Sequence, residues 1–208
     1  MPELPADTST STGTTSTHRV DPRVLRTRAL LKAAALELAA EHEPDTITLA
    51  HIAERATVNR ATVYQHYRDR EELLLDAMED ELTGLVRVAA ACPLVLPPRE
   101  MPAALTDVFR HIETHATLYR RLLGPCGSAR FANRLRQLFA DEVARQMEAA
   151  GTGRHDDPAI TMRAHYSAGA LVGLITHWLT RPEVLPAEEA AAAAWGGIRR
   201  STPPPQPI

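Results

Sequence analysis

Residues 48–72, TLAHIAERATVNRATVYQHYRDREE, decide how the rest of the chain is read. They divide into a short helix, a tight turn, a second short helix and the capped start of a third. Thr48 suits the cap of a helix starting at Leu49, since its hydroxyl can accept from an otherwise unpaired first-turn N–H. In that helix Ile52 and Ala53 turn inward, while His51, Glu54 and Arg55 turn outward. Ala56-Thr57-Val58 makes the turn, with Val58 plugging the small core between the helices. Asn59 caps the next helix, leaving Arg60, Ala61 and Thr62 as its exposed first turn. Asp69 and Glu72 have the spacing of a capping box for the third helix.

The chemistry of the second helix points to double-stranded DNA. In a helix-turn-helix module the first turn of the second helix faces the major groove, and neighbouring groups hold phosphates. Arg60 can donate two hydrogen bonds to the O6 and N7 of guanine, and Thr62 can meet a thymine methyl or a phosphate. Tyr64, His66 and Arg70 follow at spacings that suit backbone contact. The expected DNA-binding set is Thr48, Asn59, Arg60, Ala61, Thr62, Tyr64, His66 and Arg70. Tyr67 alternates with exposed neighbours and reads as a core aromatic. Upstream, Asp21-Pro22 is a cap followed by a proline at the first helical position. Leu31, Ala34, Ala35 and Leu38 then form a stripe of mostly small residues at helical spacing. Arg19, Arg23, Arg26, Arg28 and Lys32, against Asp21 alone, make a basic approach to phosphate.

From Arg26 to Leu75 the chain resembles the DNA-binding domain of the TetR family of transcriptional regulators. The resemblance is carried by Leu31, Ala34-Ala35 and Leu38, then Thr48, Ile52-Ala53 and Val58. It continues through Arg60-Ala61-Thr62-Val63-Tyr64, His66-Tyr67, Arg70 and Leu73-Leu74. It implies a three-helix reading head followed by a helical half that binds a ligand and dimerises. The family usually has glycine where this chain has Glu43, Thr57 and Ala61. Thr57 is the awkward departure, because a β-branched residue resists the left-handed conformation that follows a helix end.

Composition fits a site-specific binder. The net charge is −3 over 208 residues. Residues 19–32 carry five basic groups against one acidic, or +4, so the rest of the chain is −7. A basic patch on an acidic body favours specific over indiscriminate DNA binding. A purely architectural DNA-binding protein would be more basic overall. No serine-nucleophile elbow, phosphate-binding glycine loop or convincing carboxylate pair argues for an enzyme, and no motif calls for a cofactor. Residues 1–18 lack the basic start and apolar core of a signal peptide and read as a disordered Ser/Thr-rich tail. No apolar run is long enough to span a membrane, so a cytoplasmic location is expected. Cys92 and Cys126 are expected as reduced thiols, with Cys126, in the Gly-Pro-Cys-Gly turn, the candidate redox switch.

Beyond residue 75 every segment reads as helical. The expected organisation is all-α, with about nine helices. A helix-turn-helix domain spans residues 19–69, a helical ligand-binding and dimerisation domain spans 70–198, and 199–208 is an irregular tail. Helices are placed at 70–91, 102–116, 117–123, 128–149, 158–180 and 187–198, with a Pro97-Pro98 linker. Phe131, Leu135, Leu138, Phe139 and Val143 are expected on the inner face of the fourth of these. The 158–180 helix is apolar on nearly every face, so one side needs a partner, and Gly169 and Gly173 allow close approach. A homodimer with a four-helix interface follows, matching a palindromic operator. Phe109, Tyr119, Phe139, His165, Tyr166, His177 and Trp178 are the candidate lining of a small-molecule effector pocket. His111 and His115, at i and i+4, are the weaker alternative of a metal site, with His165 or His177 to complete it. Glu113, between the two histidines, lies on another face, so a metalloprotease motif is absent.

Overall fold

The computed structural model describes residues 21–93, 98–154, 156–183 and 185–201. The tail at residues 1–18, Arg19 of the basic run, Pro97 of the linker and residues 202–208 lie outside them. Among the described residues there are nine α-helices and no strand. They are α1 (Pro22–Glu41), α2 (Leu49–Arg55), α3 (Arg60–His66), α4 (Arg70–Ala90) and α5 (Ala103–Thr114), followed by α6 (Ala116–Leu123), α7 (Ala129–Ala149), α8 (Pro158–Thr180) and α9 (Ala187–Ser201). A single 3₁₀ turn, Pro44–Thr46, leads into α2. α9 runs into the segment read as an irregular tail: residues 199–201 continue the helix.

Local capping chemistry sets most of the boundaries. Asp21 Oδ1 accepts from Arg23 N (2.9 Å), Thr48 Oγ1 from His51 N (3.2 Å) and Asn59 Oδ1 from Ala61 N (2.8 Å). Asp69 Oδ1 accepts from Glu72 N at 2.8 Å. Glu72 does not reach back to the Asp69 N–H, as a capping box would; its carboxylate accepts from Arg68 N, one residue earlier (2.9 Å). Each bond satisfies an N–H that the helix cannot pair internally.

The apolar residues form two cores, and α4 belongs to both. Leu31, Leu38, Ile52, Val63, Tyr67 and the first turns of α4 (Leu73, Leu74, Ala77) enclose the N-terminal module. From Met78 onward α4 joins a second, larger core built with α5 to α9. The two cores thus meet along one continuous helix, between Ala77 and Met78. Phe131, Leu135, Phe139 and Val143 are buried on α7 as expected, but Leu138 sits at the edge of the core, only partly covered.

The turn between α2 and α3 keeps the geometry that glycine usually provides. Thr57 has φ 55°, the one non-glycine residue with positive φ among those described. Thr57 N donates to Glu54 O (3.1 Å) and Val58 N to Ala53 O (2.9 Å). That pair of bonds is a Schellman closure, with threonine in the left-handed position. The turn therefore keeps its usual closure, and the threonine bears the strain. Left-handed backbone costs an L-residue roughly 1–2 kcal/mol, while a glycine adds about 0.4–1 kcal/mol of unfolded-state entropy. Thr57→Gly should therefore stabilise the fold by about 0.5–1 kcal/mol, raising Tm by roughly 1–4 °C. A thermal melt that stays put or falls would show that the threonine is not strained.

Candidate nucleic-acid interface

The first turn of α3 is presented to solvent. Arg60 and Ala61 are exposed and Thr62 is half-buried, with Val63 below them fully buried in the N-terminal core. Tyr64 is 62% exposed, unusual for a large aromatic with no structural task. Thr48 is exposed at the start of α2, and His66, half-buried, closes α3. An open groove of about 490 Å³ runs between α2 and α3, lined by Ala53, Glu54, Val58, Asn59 and Arg60. Seven of the eight expected residues lie on α3 or at the N-caps of α2 and α3, and each is exposed or half-buried.

Arg70 is the exception. Its Nη1 donates to the carbonyls of Asp45 (2.6 Å) and Ile47 (3.3 Å), clamping the 3₁₀ turn onto the start of α4. A guanidinium used this way positions the module, and its link to phosphate is weaker than its spacing implied. The basic run upstream is also partly spent inside the protein. Arg28 pairs with Asp76 (3.1 Å) and stacks on the Tyr67 ring, and Lys32 lies 3.7 Å from the same carboxylate. Arg23 and Arg26 remain exposed on α1.

Tyr67 is buried, as its alternation predicts, and its hydroxyl donates to Asp76 Oδ2 at 2.6 Å. Burial, reinforced by the bond to Asp76, pushes its pKa up to about 12, so the phenol keeps its proton. Burial works against the Asp76 charge, but the bonds from Tyr67 and Arg28 outweigh it and hold the carboxyl below its usual range. This Tyr67–Asp76–Arg28 knot ties α1, the end of α3 and α4 together. A second tie comes from the body. Arg130, at the start of α7, donates to both Asp69 oxygens at 2.8 Å and lies 3.4 Å from Glu71. Asp69 thus caps α4 and receives α7 at once. Its carboxyl is held low by the Glu72 N–H first and by Arg130 second.

The seven candidate pocket residues separate into two groups. Phe109, Tyr119, Phe139 and Trp178 are buried in the helical body; Phe109 and Trp178 meet edge-to-face at 5.2 Å. His165, Tyr166 and His177 point out from α8 into solvent and line no interior space of this chain. Because α8 is apolar almost all round, its sequence carries no phase to tell these faces apart. Glu113 caps α9 by accepting from Ala187 N (3.2 Å), away from its neighbouring histidines. Those two do converge, with a partner the sequence did not indicate: Glu81 on α4 lies 3.6 Å from His111 and 3.4 Å from His115. His165 and His177 take no part. The cysteines are poor redox candidates. Burial pushes the Cys92 thiol up to about 11, and the Asp45 charge raises Cys126. Neither favours the reactive thiolate.

A helix-turn-helix head joined to a body of packed helices through one shared helix is the class of protein this geometry defines. Residues 31–77 match the profile of bacterial regulatory proteins of the tetR family, and residues 99–193 match a transcriptional regulator C-terminal region. The chain belongs to the TetR family. It is 42% identical over 57 residues to the HTH-type transcriptional regulator YxbF of Bacillus subtilis strain 168. That match spans 27% of this chain and 15% of the relative's length. Among solved structures, a TetR transcriptional regulator from Streptococcus agalactiae 2603V superposes with a TM-score of 0.62 at 19% identity, covering 86% of this chain and 96% of that one. RolR in complex with resorcinol superposes with a TM-score of 0.58 at 22% identity, covering 89% and 97%. These two likenesses establish the fold. No helix among the described residues is long and apolar enough to cross a membrane.

Proposed function

We propose that the protein is a homodimeric transcriptional repressor that reads a palindromic operator through α3 and leaves it when a small molecule enters the helical body. The observation that carries this reading is the double membership of α4. Its first turns are built into the reading head and the rest of it into the body, so a shift in one half moves the other. A ligand that binds better when the heads are wrongly spaced must weaken DNA binding, and by reciprocity DNA must weaken the ligand. The aromatic core around Phe109, Tyr119, Phe139 and Trp178 is where such a ligand would lodge; RolR, of similar fold, forms a complex with resorcinol.

The outer face of α8 supports the dimer. Met162 is 75% and Tyr166 68% exposed, and a side chain added at Gly169 or Gly173 would meet nothing within 4 Å. With Ala170 and His177 these form one stripe of a helix whose other side is core. A stripe of exposed large apolar residues beside bare glycines is what close packing against a second helix requires.

The test is selection of genomic fragments by the purified protein, followed by binding to the selected site across a salt series. A short palindrome bound by two chains is the expected result. Weak binding to every fragment with no shared site would reject the regulator reading in favour of an architectural role. On the selected site, Arg60→Ala should lower discrimination between base pairs by about 1–3 kcal/mol, roughly 5- to 150-fold. Arg70→Ala should weaken binding to all sequences. A flatter salt slope in that variant would assign Arg70 to phosphate, and an unchanged slope would assign it to the clamp on Asp45 and Ile47.

A further inference from the structure

The geometry points to a divalent transition-metal site formed by Glu81 of α4, His111 of α5 and His115 at the α5–α6 junction. One ligand atom from each residue lies within 4.8 Å of the other two. His111 Nε2 and His115 Nδ1 both face Glu81 Oε2, at 3.6 and 3.4 Å. Both ring nitrogens are shielded from solvent and neither has a hydrogen-bond partner. Buried polar atoms are rarely left this way, and 3.4–3.6 Å is long for the direct bonds that would satisfy them. In a tetrahedral zinc site, ligand bonds of 2.0–2.2 Å put neighbouring donor atoms about 3.3–3.6 Å apart. Both distances to Glu81 therefore match an ion held between the groups better than direct bonds, and the two ring nitrogens lie within 4.8 Å of each other.

The local structure is shaped to bring them there. α5 ends at Thr114, and His115 turns the chain into α6 with φ −117° and ψ 28°, which aims its Nδ1 at α4. Gly84, one turn along α4 from Glu81, lets the His111 ring lie close: a Cβ there would stand 3.2 Å from His111 Cε1. Tyr119, a turn beyond His115, supplies a third buried and unpartnered polar atom, its hydroxyl. Burial, and secondarily the Glu81 charge, raise its pKa, so the phenol keeps its proton. Two imidazoles and one carboxylate with no thiolate suit Zn²⁺, Co²⁺ or Ni²⁺. Ca²⁺ and Mg²⁺ demand more oxygen ligands.

The ion would fasten α4 to the α5–α6 corner. On the regulatory reading above, on which only this step rests, metal occupancy should therefore change affinity for operator DNA.

The site itself is tested on the full chain without DNA. Protein stripped of metal with a chelator and then dialysed is titrated with Zn²⁺ against a chromophoric competitor, and with Co²⁺ while following its visible absorption. One equivalent per chain, with the intense bands of tetrahedral Co²⁺, is expected. Glu81→Gln and His115→Ala should each weaken Zn²⁺ binding at least about tenfold while leaving the helical circular dichroism intact. Absence of stoichiometric uptake by the parent overturns the site. So does uptake unchanged in the Glu81→Gln, His115→Ala double variant, since the ion would then be held elsewhere. The regulatory step is read separately, as a change of at least about fivefold in affinity for the selected DNA on adding Zn²⁺, lost in Glu81→Gln. Stoichiometric metal binding with unchanged DNA affinity overturns that step alone.

Discussion

Replacing Gly169 and Gly173 together by arginine is expected to leave a folded monomer with greatly weakened operator binding. A Cβ added at either glycine would meet nothing within 4 Å outside its own helix backbone. The added side chains therefore cost the isolated fold little beyond its helix propensities, which arginine improves over glycine. Across a close helix–helix contact, however, they would place bulk and positive charge where two backbones meet. A half-site contacted by one head alone forfeits the effective concentration supplied by the second, a loss of about 10²–10⁴ in overall affinity. Sedimentation should report one chain for the variant and two for the parent. A variant that still sediments as a dimer would move the interface away from this face of α8.

Gly127→Ala should act in the opposite way, on the fold rather than on assembly. The loop from α6 to α7 closes with Gly127 N donating to Gly124 O (2.9 Å) and Ser128 N to Leu122 O (3.0 Å). A Cβ on Gly127 would lie 2.3 Å from Leu122 O and 2.6 Å from its carbonyl carbon. The obstacle is backbone, which cannot swing aside as a side-chain tip can. Relief requires opening the loop, and Ser128 is the cap of α7, accepting from Phe131 N. Phe131 in turn packs against Tyr119 in the core, with ring centroids 6.0 Å apart. Overpacking together with a lost buried hydrogen bond gives an expected cost of about 2–4 kcal/mol. For a chain of this size that lowers Tm by roughly 4–16 °C. A melt within a degree or two of the parent would mean that the loop has slack these distances do not show.

What was legible in the sequence was mostly local. The caps at Asp21, Thr48, Asn59 and Asp69 are bonds across two or three residues, so residue type and spacing suffice to place them. The same holds for Thr57, whose conformation was flagged by the residue that stands where glycine is usual. Contacts across long separations left no such trace. Nothing in the spacing of Arg28 and Lys32 says that both turn to Asp76. Nothing near His111 and His115 names Glu81 on another helix. Arg130 reaches Asp69 across 61 positions and was missed altogether. For α8 the failure has a different cause. An all-apolar helix has no polar face to fix its rotation, so His165, Tyr166 and His177 were assigned to the interior although they face outward.

The Arg130–Asp69 pair changes what an ionic-strength experiment on this protein would measure. Both partners are about half exposed, so dissolved ions compete with them directly. The pair is also placed at the neck between the reading head and the body, where Asp69 starts α4. Added salt therefore works on two populations of charge together: phosphates released from the head, and the neck loosening behind it. A plot of log affinity against log salt would be steeper than the number of phosphates contacted, with the excess belonging to the protein's own posture. The ionic strength of the surroundings would then set how firmly the head is aimed.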